Sequence, residues 1–128
     1  MEILEVTIGK TFTFDAAHVL VDHPGLCKNL HGHTYTLTVE LTGQVNCNTH
    51  MLVDFYELKE IVKARILLPL DHTNISELYP QTTVEALSAI IASVISGQFP
   101  KFDVSIQLQE GTGGYARTTR KRWQHEKA

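Results

Sequence analysis

Cysteine is scarce in this 128-residue chain, with only Cys27 and Cys47 present, enough for one disulfide at most. A core of this size needs no staple, and no basic segment followed by an apolar stretch opens the sequence, so both are expected as free thiols. Long hydrophobic runs are absent as well. Every apolar stretch is far shorter than the roughly 20 residues that span a bilayer, so a soluble, cytoplasmic protein without a membrane partner is expected. An excess of one charge is also missing. A net charge of −3 gives no general attraction to nucleic acid or acidic lipid, and neither is expected as a partner. There is no internal repeat and no phosphate-loop pattern, since Gly111, Gly113 and Gly114 lack the required spacing. The one local bias is the cluster Arg117, Arg120, Lys121, Arg122 and Lys127, read as a solvated basic tail over 117–128. With 43% hydrophobic and 20% charged residues, residues 1–128 suit a single domain.

What is present is strong periodicity. Val6, Ile8, Phe12, Phe14, Ala16 and His18 alternate with polar neighbours, which predicts a strand with a bulge at Gly9. Residues 21–30 read as a loop ending near Cys27. Tyr35, Leu37, Val39 and Leu41 alternate with threonines and Glu40, predicting a second strand over 31–42. Asp54-Phe55-Tyr56-Glu57 resembles a capping box opening a helix through about Ile66. Thr82-Thr83-Val84-Glu85 does the same for a helix with Leu87, Ile90, Ile91, Val94 and Ile95 on one face, stopping near Gly97. Val104, Ile106 and Leu108 mark a third strand, and a fourth follows the glycine turn over 115–121. The order β-β-α-α-β-β predicts an α+β fold, a four-stranded antiparallel sheet with two helices on one face.

His31-Gly32-His33 places two imidazoles on the same face of the second strand, and His18 lies in phase on the first. Three neutral imidazoles from adjacent strands can hold one ion with an open fourth position, as catalytic zinc sites do. His23, His50 and His125 lie in loop or tail context and are read as ordinary histidines. Cys27, four residues before His31, is either a small buried hydrophobe or, beside a cation, a thiolate. Asp71-His72 is either a polar turn or a carboxylate-oriented proton carrier. Glu110 continues the inward phase of the third strand, where a carboxylate needs either a salt bridge or a ligand with paired N–H donors.

Phe14-Asp15-Ala16-Ala17-His18, Cys27-Lys28-Asn29-Leu30-His31-Gly32-His33, Val53-Asp54-Phe55, Leu70-Asp71-His72, Thr83-Val84-Glu85 and Glu110 together resemble the 6-pyruvoyltetrahydropterin synthase family, over about residues 10–116. The short spacing between Cys27 and His31 resembles the 6-carboxytetrahydropterin synthase branch, of queuosine biosynthesis. This resemblance implies the tunnelling fold, assembled as a homohexamer, a dimer of trimers with active sites at subunit interfaces. It implies a lyase acting on 7,8-dihydroneopterin triphosphate, with a pyruvoyl-forming triphosphate lyase and a non-catalytic pterin- or zinc-binding protein as alternatives. By the same resemblance His18, His31 and His33 hold Zn2+, Cys27 is the general base, Asp71 and His72 relay protons, Glu110 anchors the pterin ring, and Thr83 and Glu85 contact substrate. The chain departs from the family pattern where Ser76 ends Leu70-Asp71-His72-Thr73-Asn74-Ile75-Ser76, where Thr82 replaces a proline, and where Gly111 follows Glu110. These departures bear on substrate specificity.

Overall fold

Alternating apolar and polar side chains leave one face of a segment to bury and the other to hydrate, and two such segments pair here as a long hairpin. In the computed structural model, which describes residues 4–122, β1 (Glu5–His18) and β2 (His31–Gln44) run antiparallel in unbroken register from Glu5↔Gln44 to His18↔His31. The expected bulge at Gly9 does not form, because Gly9 pairs directly with Glu40. A Cβ there would approach the Glu40 side chain at 3.1 Å, so close packing explains this glycine without a ladder defect.

β4 (Asp103–Glu110) adds to β2 and β5 (Tyr115–Arg120) adds to β4, both antiparallel. Gly111 turns between them with φ +52°, a conformation glycine adopts without Cβ strain. A fifth strand, β3 (Thr73–Asn74), pairs parallel with Ala16 and Ala17 of β1, giving the mixed order β3-β1-β2-β4-β5. Four antiparallel strands were expected. Two residues are too few to show a period, and β3 exists because His72 N donates to Asp15 O at 2.6 Å just before it.

Asp54 caps α1 (Phe55–Val62), its carboxylate accepting from Tyr56 N at 2.8 Å. Helical backbone then continues past Ile66 and Pro69 through a π turn (Lys63–Leu67) into the single turn α2 (Leu68–Leu70). Proline lacks an N–H and crowds the carbonyl four residues back. The wider π turn, closed by Leu68 N donating to Lys63 O, relieves both problems. α3 (Val84–Gln98) is capped by Thr83, whose hydroxyl accepts from Ala86 N at 3.1 Å, rather than by Thr82.

Leu58, Val62, Ile66, Leu87, Ile91 and Ile95 from the helices pack on the inward face of the sheet, where Leu37, Val39, Leu41, Val104, Ile106 and Leu108 are buried. Full burial of each such side chain is worth about 1.5–3 kcal/mol, which makes this the main source of stability. Threonines line the other face, bonded across strands at Thr7–Thr42 and Thr11–Thr38. No helix among the described residues is long and apolar enough to cross a membrane. The basic segment is not wholly a tail. Arg117 and Arg120 belong to β5, and Arg122, just beyond it, bonds Asp103 Oδ1 at 3.1 Å and Glu5 Oε2 at 2.7 Å. Residues 123–128, with His125 and Lys127, lie outside the described residues.

Candidate active site

The end of the β1–β2 hairpin brings His18 and His31 opposite each other and sets His33 one inward position further along β2. Their ligating nitrogens all lie within 4.8 Å of one another, as the shared phase predicts. His18 is fully buried and its Nδ1 lies 2.8 Å from Thr82 O; a carbonyl only accepts, so Nδ1 carries the proton and Nε2 offers its lone pair inward. His31 repeats the device, with Nδ1 donating to Asn29 O at 2.8 Å. Its Nε2 is buried and has no hydrogen-bond partner among the described residues.

That orphaned lone pair is the test of whether a cation fits. Two imidazoles are fixed with lone pairs pointing inward by carbonyls outside them, the arrangement that orients metal-bound histidine. His18 Nε2 and His33 Nε2 stand 3.1 Å apart, against about 3.3–3.4 Å for two nitrogens on a tetrahedral zinc with bonds near 2.0–2.1 Å. The residues fit the ion. Burial pushes the His18 pKa below its ordinary value, so it stays neutral and able to ligate. Glu110 Oε1, 3.7 Å from His18 Nε2, is accordingly a neighbour of the cluster rather than the partner of an imidazolium. Glu110 remains partly open to solvent, and so can meet a ligand from outside.

Tyr35, between these groups, was read only as core, because its phase is that of Leu37 and Val39. It is fully buried, its ring stacked 5.1 Å from Phe14 and edge-on to His18 and His33, and its hydroxyl lacks a partner among the described residues. Burial and the Glu110 charge push its pKa far above the ordinary tyrosine value, so it stays protonated.

Asp71 and His72 sit apart, at the outer edge of β1. Asp71 Oδ1 accepts from Asp15 N at 2.9 Å and lies 3.0 Å from His72 Nδ1. The bond from Asp15, then that from His72, holds the Asp71 carboxyl below the usual carboxylate range. The His72 side chain is 78% exposed, and its backbone has φ 60°. Such strain clusters at functional sites, although His50, in a turn closed on Asn46, shares it. Asp15 joins this pair as a second group of potential ligands, and Thr34 donates to its carboxylate. Spacing could not reveal Asp15's part, since its outward phase reads as solvated. A cleft of about 530 Å³ lined by Asp15, Gly32, His33, Thr34, His72 and Asn74 connects this edge to His33.

Cys27 occupies a single 3-10 turn (Leu26–Lys28) in the loop joining β1 to β2. Leu20 N donates to Cys27 O at 2.8 Å, drawing the loop back toward the strand ends that carry the histidines. The half-buried Cys27 is in neither of the two groups whose ligand atoms lie within 4.8 Å of one another, the three histidines and Asp15, Asp71 and His72. Thr83 caps α3 and lines a separate hollow of about 190 Å³ with Val19–His23, while Glu85 is exposed in the first turn of the helix.

Comparison with known proteins adds to this geometry. Residues 7–121 match the family described as 6-pyruvoyl tetrahydropterin synthase. The 6-carboxy-5,6,7,8-tetrahydropterin synthase of Haemophilus influenzae is 50% identical over 78 residues, 59% of this chain but only 53% of that protein's length. The 6-pyruvoyl tetrahydrobiopterin synthase of Dictyostelium discoideum is 34% identical over 91 residues, 67% of each chain. The structure of Caenorhabditis elegans 6-pyruvoyl tetrahydropterin synthase superposes with a TM-score of 0.77 at 25% identity, covering 94% of this chain and 98% of that one.

Proposed function

The chain belongs to the 6-pyruvoyl tetrahydropterin synthase family, and from that membership we propose that it is a zinc-dependent carbon–carbon lyase that converts 7,8-dihydroneopterin triphosphate to 6-carboxytetrahydropterin, releasing acetaldehyde and triphosphate. The observation that carries this reading is the convergence of His18, His31 and His33 on one point, with the His31 Nε2 lone pair buried and without a partner among the described residues. The similarity to the H. influenzae protein favours the carboxy-forming branch.

Imidazole donors suit zinc, copper, iron and nickel, and zinc held by His18, His31 and His33 would supply Lewis acidity to a substrate oxygen. The remaining work falls to the chain's own groups. Glu110, partly open to solvent, grips the paired N–H donors of a pterin edge and sets the side chain of the substrate toward the histidines. Cys27 takes a proton from that side chain as the general base. His72, oriented by Asp71 Oδ1, returns protons to the substrate. Thr83 and Glu85 supply further contacts at the start of α3.

Cys27 does not share a 4.8 Å cluster with Asp71 and His72, and the proposal includes an assembly in which one copy completes another's site, a homohexamer built as a dimer of trimers. The sheet supports assembly: among the described residues β1 has no strand partner along its outer edge before Asp15, and β5 ends the sheet on the other side. Such edges invite pairing with another chain. A cytoplasmic setting, and a place in queuosine biosynthesis, belong to this reading.

The D. discoideum relative favours a second reading, a triphosphate lyase forming the pyruvoyl product. Incubating the zinc-loaded protein with dihydroneopterin triphosphate and identifying the products decides between them. Acetaldehyde with 6-carboxytetrahydropterin is expected. A pyruvoyl product without acetaldehyde selects the second reading, and pterin binding without turnover rejects both in favour of a binding protein.

A further inference from the structure

His18 ends β1, so the backbone of the next residue, Val19, has no place in the strand ladder. Both of its backbone groups are nevertheless engaged, by two side chains from outside the hairpin. Val19 N donates to Ser76 Oγ at 2.9 Å, Ser76 Oγ lies 3.2 Å from Thr82 Oγ1, and Thr82 Oγ1 donates to Val19 O at 3.2 Å. With Ser76 donating to Thr82, the two hydroxyl protons close a ring of hydrogen bonds on a single peptide residue; Ser76 Oγ also lies 3.3 Å from Val19 O, an alternative acceptor for the same proton.

Thr82 also reaches His18 directly. Its carbonyl takes the His18 Nδ1 proton at 2.8 Å, and the residue is buried, with 2% exposure. Ser76 is held in turn by Asn74, whose side chain accepts from Ser76 N at 3.1 Å. One threonine thus binds the ring of His18 through its carbonyl and the following backbone through its hydroxyl, and the serine ties both to β3. Loss of the Thr82 hydroxyl would free its peptide to rotate and leave the Val19 carbonyl only the longer bond from Ser76 Oγ at 3.3 Å. The His18 ring would then lose the acceptor that keeps its proton on Nδ1.

We propose that Ser76 and Thr82 act as a paired positioning device for His18, fixing its tautomer and ring plane so that Nε2 is presented to the metal before the metal arrives. The inference rests on the metal reading above for its consequence, though not for its geometry. Groups that orient a metal-bound histidine from outside are worth about 10–100-fold in metal affinity when removed. The same loss is expected here for Thr82→Val and for Ser76→Ala, whereas Thr82→Ser, which keeps the hydroxyl, is expected to bind as the parent does.

The test has two arms on the full chain. In the first, zinc affinity is measured by competition with a chromophoric chelator, well below the melting temperature of each variant. In the second, the imidazole nitrogens of the metal-free protein are observed by 15N NMR. The parent and Thr82→Ser are expected to show His18 as a single Nδ1–H tautomer, and Thr82→Val and Ser76→Ala a mixture with the Nε2–H form. Unchanged zinc affinity together with an unchanged tautomer in folded Thr82→Val and Ser76→Ala overturns the proposal, as does a Thr82→Ser protein that behaves like Thr82→Val. A variant with lower thermal stability but parental affinity and tautomer also overturns it, since the pair would then only support the fold. Should the parent bind no zinc, the metal centre fails separately, and the tautomer in the metal-free protein alone decides the positioning role.

Discussion

Replacing His31 and His33 together by alanine should abolish the thermal stabilisation that zinc confers while leaving the metal-free protein nearly as stable as the parent. The first half follows from linkage: a ligand that binds only the folded state at a free concentration 100-fold above its Kd stabilises by about 2.7 kcal/mol. For a chain of 128 residues, roughly 3–5 °C of melting temperature corresponds to each kcal/mol, so the parent should gain about 8–13 °C. The double variant keeps only His18 of the three donors and should gain nothing. The second half follows from opposing local changes. Removing His31 loses the bond from its Nδ1 to Asn29 O, worth about 1 kcal/mol, but also removes a buried Nε2 without a partner among the described residues, which costs about 1–3 kcal/mol in the parent. Removing His33 adds the loss of its 3.1 Å contact with His18 Nε2, about 1 kcal/mol, so the three changes offset to within about 1–2 kcal/mol. Differential scanning fluorimetry at fixed protein concentration, with chelator and then with buffered free zinc, measures both halves. A double variant that retains the parental zinc shift refutes the three-histidine site. A metal-free variant that does not fold refutes the view that the inward lone pairs are a cost awaiting a cation.

Cys27→Ala should lower kcat by about 10²–10⁴-fold with KM little changed, since a base acts in the transition state, whereas Glu110→Gln should chiefly raise KM, as loss of a ring anchor weakens ground and transition states alike; steady-state kinetics with the reverse pattern would exchange the two roles. The Arg122 guanidinium holds the Asp103 carboxyl below its usual range. The folded-state pKa is therefore lower than the unfolded value near 3.9, so this pair's contribution is complete above about pH 5 and is lost as pH falls through the folded pKa. Urea midpoints from pH 6 to 3 should fall less steeply for Asp103→Asn, and parallel curves would dismiss the pair as a source of acid sensitivity. Tyr35→Phe removes a buried hydroxyl without a partner among the described residues, so the metal-free protein should be as stable or more so, by up to about 1–2 kcal/mol; a loss exceeding 1 kcal/mol in urea unfolding would show that the hydroxyl is bonded in solution.

Those expectations differ in how far the chain itself announces them. The strands β1, β2 and β4 were legible because each alternates long enough to separate an inward from an outward face, and β5 because a glycine-rich turn follows β4. His18, His31 and His33 were legible as a group for the same reason, since in-phase side chains on paired strands must converge. Glu110 stood out as a carboxylate on an apolar phase. The helix caps were readable to within a residue: Asp54 is a cap, while Thr83 takes the place expected of Thr82, because neighbouring threonines offer equivalent hydroxyls and only burial distinguishes them.

By itself, then, the sequence determined the inward faces of the longer strands, the existence of those strands and of the two capped helices, and that three imidazoles share a face, because these depend on local period and residue chemistry. Tertiary structure alone decided the rest. β3 is two residues long and carries no period; it forms where Asp71 and His72 bond the backbone of Asp15, 56 positions away in the case of the Asp71 contact. Pro69 remains within helical backbone because a π turn before it moves a carbonyl aside. Thr82 meets His18 across 64 positions through a main-chain carbonyl, a group every residue carries, so no residue type could mark it. The separation of Cys27 from Asp71 and His72 is likewise a property of how the loop and sheet edge are placed in space. Backbone groups and loop paths are set by the packing of the whole chain, and local pattern holds no record of them.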